Sequence, residues 1–288
     1  IALRGSAPTL QEIEQIHQQL DEFIAQQTDS AYLQSLRNSD LANTIRQGQV
    51  RYDWGEADVI YDQPEKLQHD FDETKYHLTP KLEPYFEGLT EELIIISPYF
   101  VPGKSGTAFL RQLCERGVRV RIVTNSLASN DVAIVHSGYS KYRKDLLRAG
   151  VELYEMNKQL TKEQRKKKKR MGGSTKASLH AKSFVFDRKH VFIGSLNLDP
   201  RAIHHNTEIG VVVASRKIAN ELAERFDQNI EKDAFRLELK KERDGSDRIV
   251  WHGLVDGQQK DFNVEPYSGF WKRLWIDLLK ILPIESQL

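Results

Sequence analysis

Ser178-Leu179-His180-Ala181-Lys182-Ser183-Phe184-Val185-Phe186-Asp187, followed by Val191-Phe192-Ile193-Gly194-Ser195-Leu196-Asn197, decides the reading of this chain. The two apolar runs predict two short strands joined by a turn. Alternate side chains of a strand share a face, so His180 and Lys182 project together while Asp187 falls on the opposite parity. Ser195 and Asn197 share a face in the same way if the strand runs that far. An imidazole, an ammonium, a hydroxyl and an amide then converge, supplying one nucleophile or acid and several donors for phosphoryl oxygens. That set suits phosphodiester chemistry with no metal and no other cofactor.

Upstream of this stretch, strand and helix signals alternate. Leu93-Ile94-Ile95-Ile96 reads as a short buried strand, Pro98 to Gly106 as a loop, and Thr107 to Arg116 as a helix closed by Gly117. Val118, Val120 and Ile122 alternate as a strand, Asp131 to Ala149 forms a helix ended by Gly150, and Val151 to Met156 is another strand. This alternation predicts an α/β fold with a largely parallel core. Nearer the start, Thr9-Leu10-Gln11-Glu12 is a capping box, and Ile13, Ile16, Leu20, Phe23 and Ile24 follow on helical spacing. A weaker helical pattern covers roughly Ala31 to Gln47. Trp54 to Tyr61 looks extended, and Asp62-Gln63-Pro64 breaks it.

Composition sets outer limits. The 288 residues suffice for one large or two modest domains. Lys and Arg total 42 against 41 Asp and Glu, so the net charge of +1 gives no global attraction to nucleic acid or anionic membrane. Any such attraction is local. Lys162 to Arg170 is a basic run before Gly172-Gly173-Ser174, read either as a solvated turn or, from its place beside the motif, as the border of an anion site. Cys114 is the only cysteine, so no intramolecular disulfide forms. The longest aliphatic run, Leu93 to Ile96, is far short of the roughly 18 apolar residues of a membrane span. The reading is a soluble or peripheral protein, and Ile1 in place of Met suggests a processed or truncated chain. Phe270, Trp271, Leu274, Trp275, Leu278, Leu279 and Leu282 form the stripe of an amphipathic helix, with core packing preferred over an interfacial membrane role.

The motif residues resemble the phospholipase D superfamily signature, H-x-K-x4-D followed by G-S-x-N, with every position filled. A bare H-x-K would be weak, because a single strand histidine is more often structural. Six positions at the family spacing, with Glu208 in Asn206-Thr207-Glu208, set that bland reading aside. Ser97-Pro98-Tyr99-Phe100-Val101-Pro102, Leu198-Asp199-Pro200-Arg201 and the closing Leu282-Pro283-Ile284-Glu285 are similar to the C type of the bacterial cardiolipin synthases, and the similarity covers almost the whole chain. Ala202 stands where that group often has Ser. Members of this type carry two such motifs, and only His180-Ala181-Lys182 is present here; His69, His77, His190, His204 and His205 lack the Lys two positions on.

The resemblance implies a phospholipase D-like sandwich, with a central mixed, largely parallel sheet flanked by helices on both faces. It further implies that residues 1–65 are a helical segment from the end of a first half. Residues 66–288 would then be a complete second domain holding the motif and the amphipathic helix. The site would be completed by a missing first half or by a second copy in a homodimer. Two motif histidines then share the work: one forms a phosphohistidine, and His180, from the second motif, is the general acid and base. Lys182, Asn197 and Ser195 would hold non-bridging oxygens, Glu208 would accept a hydrogen bond from His180, and Asp187 would hold structure. Tyr99, Phe100, His136 and Tyr139 are candidates to line the substrate pocket.

The implied activity is a phosphatidyltransferase joining phosphatidylglycerol with phosphatidylethanolamine or with a second phosphatidylglycerol. Its implied place is peripheral, on the cytoplasmic side of the bacterial cytoplasmic membrane, with no nucleic acid as partner. Two other readings stay open: a phosphodiesterase or nuclease, and an incomplete phosphate-binding half that does not turn over alone.

Overall fold

The computed structural model describes residues 9–27, 37–50, 52–70, 72–130, 132–157 and 179–280. The basic run Lys162 to Arg170, Gly172-Gly173-Ser174, Ser178, the closing Leu282 to Glu285 and part of the Ala31 to Gln47 pattern lie outside them. Two compact units divide between Tyr52 and Asp53. The first unit holds α1 (Leu10–Gln27) and α2 (Asp40–Arg46). The capping box forms as the sequence predicts: Thr9 N donates to Glu12 Oε2 at 2.8 Å and Glu12 N to Thr9 Oγ1 at 3.3 Å.

The second unit runs β1 (Glu56–Tyr61), α3 (Thr79–Glu87), β2 (Glu92–Ile96), α4 (Gly103–Glu115), β3 (Arg119–Thr124), α5 (Ala133–Arg148) and β4 (Glu152–Met156). It continues with β5 (Ser183–Phe186), β6 (His190–Gly194), α6 (Pro200–His204), β7 (Ile209–Ala214), α7 (Arg216–Asp233), β8 (Ala234–Lys241), β9 (Asp247–Val255), β10 (Gln258–Phe262) and α8 (Phe270–Leu279). One sheet of 10 strands results, in the order β1-β7-β6-β5-β2-β3-β4-β8-β9-β10.

The α/β class and the mixed sheet with helices on both faces agree with the sequence reading. Alternate residues of each central strand serve opposite faces. Leu93, Ile95, Val120, Ile122, Phe184 and Phe186 join one core with Leu82, Leu110, Leu113, Tyr139 and Leu146 from α3, α4 and α5. Ile94, Val123, Val185 and Val191 join the other with Ala219, Ala223, Phe226 and Ile230 of α7. The expectation of a largely parallel sheet is corrected. Only β2–β3 and β3–β4 are parallel, and every other pairing is antiparallel. Parallel neighbours need a crossover, and only α4 and α5 provide one between sequential strands. The β5–β6 connection is instead a tight turn with Asp187 and Arg188 at φ 48° and 50°.

The boundary expected at 65/66 also moves. β1 pairs with β7 from Glu56↔Ala214 to Tyr61↔Ile209, so the unit that holds the motif already starts at Asp53. A third correction concerns α8. Ile276 and Leu279 pack on Leu127, but Phe270, Trp271, Leu274, Trp275 and Leu278 are exposed, Trp271 at 78%. The helix lies at the rim of the core against the loop that holds Leu127 and against the start of α5, and its apolar residues outnumber the positions these cover.

Candidate active site

The chain directions bring the motif to one end of the sheet. Ser183 at the start of β5 faces Ile96 at the end of β2, and Gly194 at the end of β6 faces Gly210 at the start of β7. His180, Lys182, Ser195, Asn197 and Glu208 therefore flank the same strand ends, beyond the carboxyl ends of β2 and β3. Ligands of open α/β sheets bind at such ends. The motif glycine has a steric reason. A Cβ on Gly194 would lie 2.5 Å from Ile209 O and 2.7 Å from Gly210 Cα, so β6 and β7 approach this closely only without one.

His180 is exposed, and Lys182 is half-buried with its Nζ donating to His180 O at 3.0 Å. Burial lowers the Lys182 pKa, opposed by the negative charges of Glu208 and Asp199. Ser195 Oγ donates to the Glu208 carboxylate and accepts from Ile209 N at 3.0 Å, while Asn206 Nδ2 donates to Glu208 Oε1 at 3.2 Å. The expectation that Glu208 accepts from His180 is thus corrected: no hydrogen bond joins the two among the described residues. The β6–β7 register ends at Gly194↔Gly210, and Ser195 N then donates to Ile209 O at 2.8 Å, so Glu208 lies one residue past the partner of Ser195, whereas His180 precedes β5. Asn197 has a buried Oδ1 without a hydrogen-bond partner. Among the described residues, no group of three or more His, Cys, Asp or Glu side chains is placed to hold a metal.

Asp187 sits at the opposite end of β5. Its carboxylate accepts from Thr90 N at 3.0 Å, Thr90 Oγ1 at 2.9 Å, Glu91 N at 2.8 Å and Glu92 N at 2.9 Å. Burial alone would raise its pKa, but these bonds outweigh that and hold it below the usual aspartate value. A carboxylate with a lowered folded-state pKa stabilises fully above its unfolded pKa and loses that contribution as pH falls through the lowered value. Asp187→Ala is expected to cost about 2–4 kcal/mol by stranding these donors, read as a lower denaturant midpoint at neutral pH. The deficit relative to wild type should shrink under acid.

The candidate pocket residues divide. Tyr99 is half-buried, and Phe100 is buried against Tyr139 with ring centroids 6.0 Å apart. The backbone of Phe100 bridges Leu198, next to Asn197. His136 and Tyr139 are not brought to the site. Both are buried within α5, and His136 Nε2 lies 3.1 Å from Glu265 Oε1, in a network with Arg143, Glu155 and Trp251 Nε1. Their i, i+3 face turns inward because Tyr139 fills the main core. Arg143 stays charged there: burial would lower its pKa, and the carboxylates of Glu265 and Glu155 raise it instead.

Three supporting residues escaped the sequence reading. Buried Asn125 holds the residue before His180 from both sides, donating to Leu179 O at 3.2 Å and accepting from Leu179 N at 3.0 Å. Asp62 Oδ2 accepts from Glu208 N at 2.8 Å and pairs with Lys66 Nζ at 2.9 Å, with both side chains about 1% exposed. Lys66 also donates to Ala202 O at 3.3 Å. The available signal was Asp62 and Lys66 at i, i+4 spacing after an extended segment, which reads on its face as a polar turn.

Comparison with known proteins places this arrangement. A family described as "Cardiolipin synthase, PLD-like domain" matches residues 87–230. Cardiolipin synthase C of Escherichia coli is 38% identical over 256 residues, covering 88% of this chain and 53% of that protein. Cardiolipin synthase A of Yersinia pseudotuberculosis is 30% identical over 166 residues, covering 58% of this chain and 29% of that one. The chain belongs to the cardiolipin synthase family of phospholipase D-like proteins. It spans about half the length of the relatives it matches over most of its own length. Among solved structures, Nuc from Salmonella typhimurium overlaps with a TM-score of 0.45 at 17% identity, covering 64% of this chain and 99% of that one. Phosphatidylserine synthase from Haemophilus influenzae overlaps with a TM-score of 0.47 at 16% identity, covering 63% and 40%.

Proposed function

We propose that this chain supplies one half of a phosphatidyltransferase that forms cardiolipin. The observation that carries the reading is the meeting of His180, Lys182, Ser195 and Asn197 at one sheet end, in a chain so similar to a cardiolipin synthase. A second phospholipase D-like half, or a second copy of this chain, brings the other histidine. In the first step that histidine attacks the phosphorus of a donor phospholipid. The bond to the leaving alcohol breaks, and protonated His180 gives that oxygen its proton. In the second step neutral His180 takes the proton from a hydroxyl of an acceptor phosphatidylglycerol, whose oxygen displaces the phosphohistidine. With phosphatidylglycerol as donor the alcohol released is glycerol; with phosphatidylethanolamine it is ethanolamine.

Lys182 and Asn197 stabilise the charge gathering on the non-bridging oxygens. Asn197 does so through its Nδ2–H donors, because its amide oxygen is an acceptor and cannot hold a phosphoryl oxygen. Glu208 acts by orienting Ser195, and Asn125 by fixing the backbone before His180. The test mixes the chain with a separately expressed first half and labelled phosphatidylglycerol and phosphatidylethanolamine in vesicles. Cardiolipin is expected; cleavage of DNA with no lipid product would replace this reading with a nuclease.

A lipid substrate implies peripheral attachment, here to the cytoplasmic face of the bacterial cytoplasmic membrane. No helix of the described residues is long and apolar enough to cross a membrane. The exposed Phe270, Trp271, Leu274, Trp275 and Leu278 beside Lys272, Arg273 and Lys280 have the composition of an interfacial helix. Trp271→Ser with Trp275→Ser is expected to weaken cosedimentation with phosphatidylglycerol-containing vesicles about tenfold or more, with the thermal midpoint unchanged. Unchanged vesicle binding would remove α8 from the membrane contact.

A further inference from the structure

A cavity of about 430 Å³ opens beside the motif, between α3, α4, α6 and the loop after β2. That volume suits a small-molecule site, for which about 300–1,000 Å³ is usual. Its walls include Phe86, Phe100, Phe109, Leu110, Leu198 and Ile203, and its charged lining residues are the acids Glu83 and Glu87. A phosphate is therefore repelled from it, while a hydrocarbon gains by entering. The cavity is tied to the motif through the backbone. Val101 N donates to Leu198 O at 2.7 Å, and Phe100 bridges Leu198, which directly follows Asn197. Consecutive Cα atoms lie about 3.8 Å apart, so the cavity wall at Leu198 begins one residue from Asn197.

We propose that this cavity is an acyl-chain subsite, which seats one fatty chain of the phospholipid whose phosphate is held by Lys182 and Asn197. The assignment rests on the phosphatidyltransferase reading and adds to it a binding element outside the motif. It makes the site read the tail as well as the headgroup. Water-soluble glycerophosphodiesters would then bind the same phosphate groups far more weakly than lipids do.

The experiment titrates the whole chain, labelled at its Ile, Leu and Val methyl groups, with lysophosphatidylglycerols of increasing chain length below their micelle concentrations. Glycerol 3-phosphate is the headgroup control. The expected result is tightening of about tenfold for each two methylenes added, with shifts at Leu110, Leu198 and Ile203 for the lipids only. Gly106→Leu, on the cavity wall, is expected to weaken the longest lipid at least tenfold and to leave glycerol 3-phosphate binding unchanged. A Cβ there meets Pro102 Cβ at 3.1 Å, so Ile203→Trp serves as a second filling variant if the first unfolds.

Binding that shifts the surroundings of Ser195 and Asn197 but ignores chain length would overturn the subsite and leave the function intact. Failure of glycerol 3-phosphate to reach Ser195 and Asn197 would remove the function reading, and the subsite with it, even if the lipid tail still entered. Self-association of the chain that Gly106→Leu abolishes would make the cavity a contact between copies and overturn the subsite as well.

Discussion

His180→Ala, in an enzyme with both halves present, is expected to abolish cardiolipin formation while leaving lipid binding and the melting temperature close to wild type. The side chain is exposed and makes no hydrogen bond among the described residues, so the fold loses little with it. General acid–base catalysis contributes about 10²–10⁴-fold, and both steps here depend on it. The loss should not be uniform across substrates. A phosphatidyl donor with a nitrophenol leaving group needs no proton, so the variant should release nitrophenol near the wild-type rate and then stall before the acceptor is attacked. A purely structural role for His180 predicts equal losses for both donors, which makes the ratio between them the informative reading.

Lys66→Met is expected to produce the largest loss of stability, about 3–5 kcal/mol, because Asp62 then keeps a buried charge without its cation. A shift this size is readily seen in the denaturant midpoint. The effect should reach the site as well. Asp62 accepts from Glu208 N and, at 2.5 Å, from Leu78 N, so its displacement frees the segment that holds Ser195. Asp62→Asn together with Lys66→Met removes the orphaned charge and should cost less than the sum of the single changes. Additive losses would show that the two residues act separately.

The central strands were legible because their patterns are local. Leu93 to Ile96, the alternation of Val118, Val120 and Ile122, and the closing Gly117 and Gly150 each carry their own periodic or turn signal. The parallel share of the sheet was overestimated because β8, β9 and β10 extend it by hairpins. In β8 the run Arg236-Leu237-Glu238-Leu239-Lys240 is charged at every other position, the mark of a strand with one solvated face. The motif itself was legible residue by residue, since its spacing survives in one stretch of chain. The partners of those residues were not. Ser195 reaches the Glu208 carboxylate from the neighbouring strand, and Lys66 reaches Ala202 across 136 positions of sequence, neither of which leaves a local trace. The amphipathic pattern of α8 predicted a helix correctly, but periodicity shows which residues share a face and not what covers that face.

The role given to His180 is tested most directly by stopping the complete two-half enzyme during turnover of phosphatidylglycerol labelled at phosphorus and locating the acid-labile label by peptide. The account predicts a phosphohistidine in the other half, accumulating further in the His180→Ala variant with the nitrophenyl donor. Label on His180 itself, or no covalent label in either half while cardiolipin is formed, would contradict it.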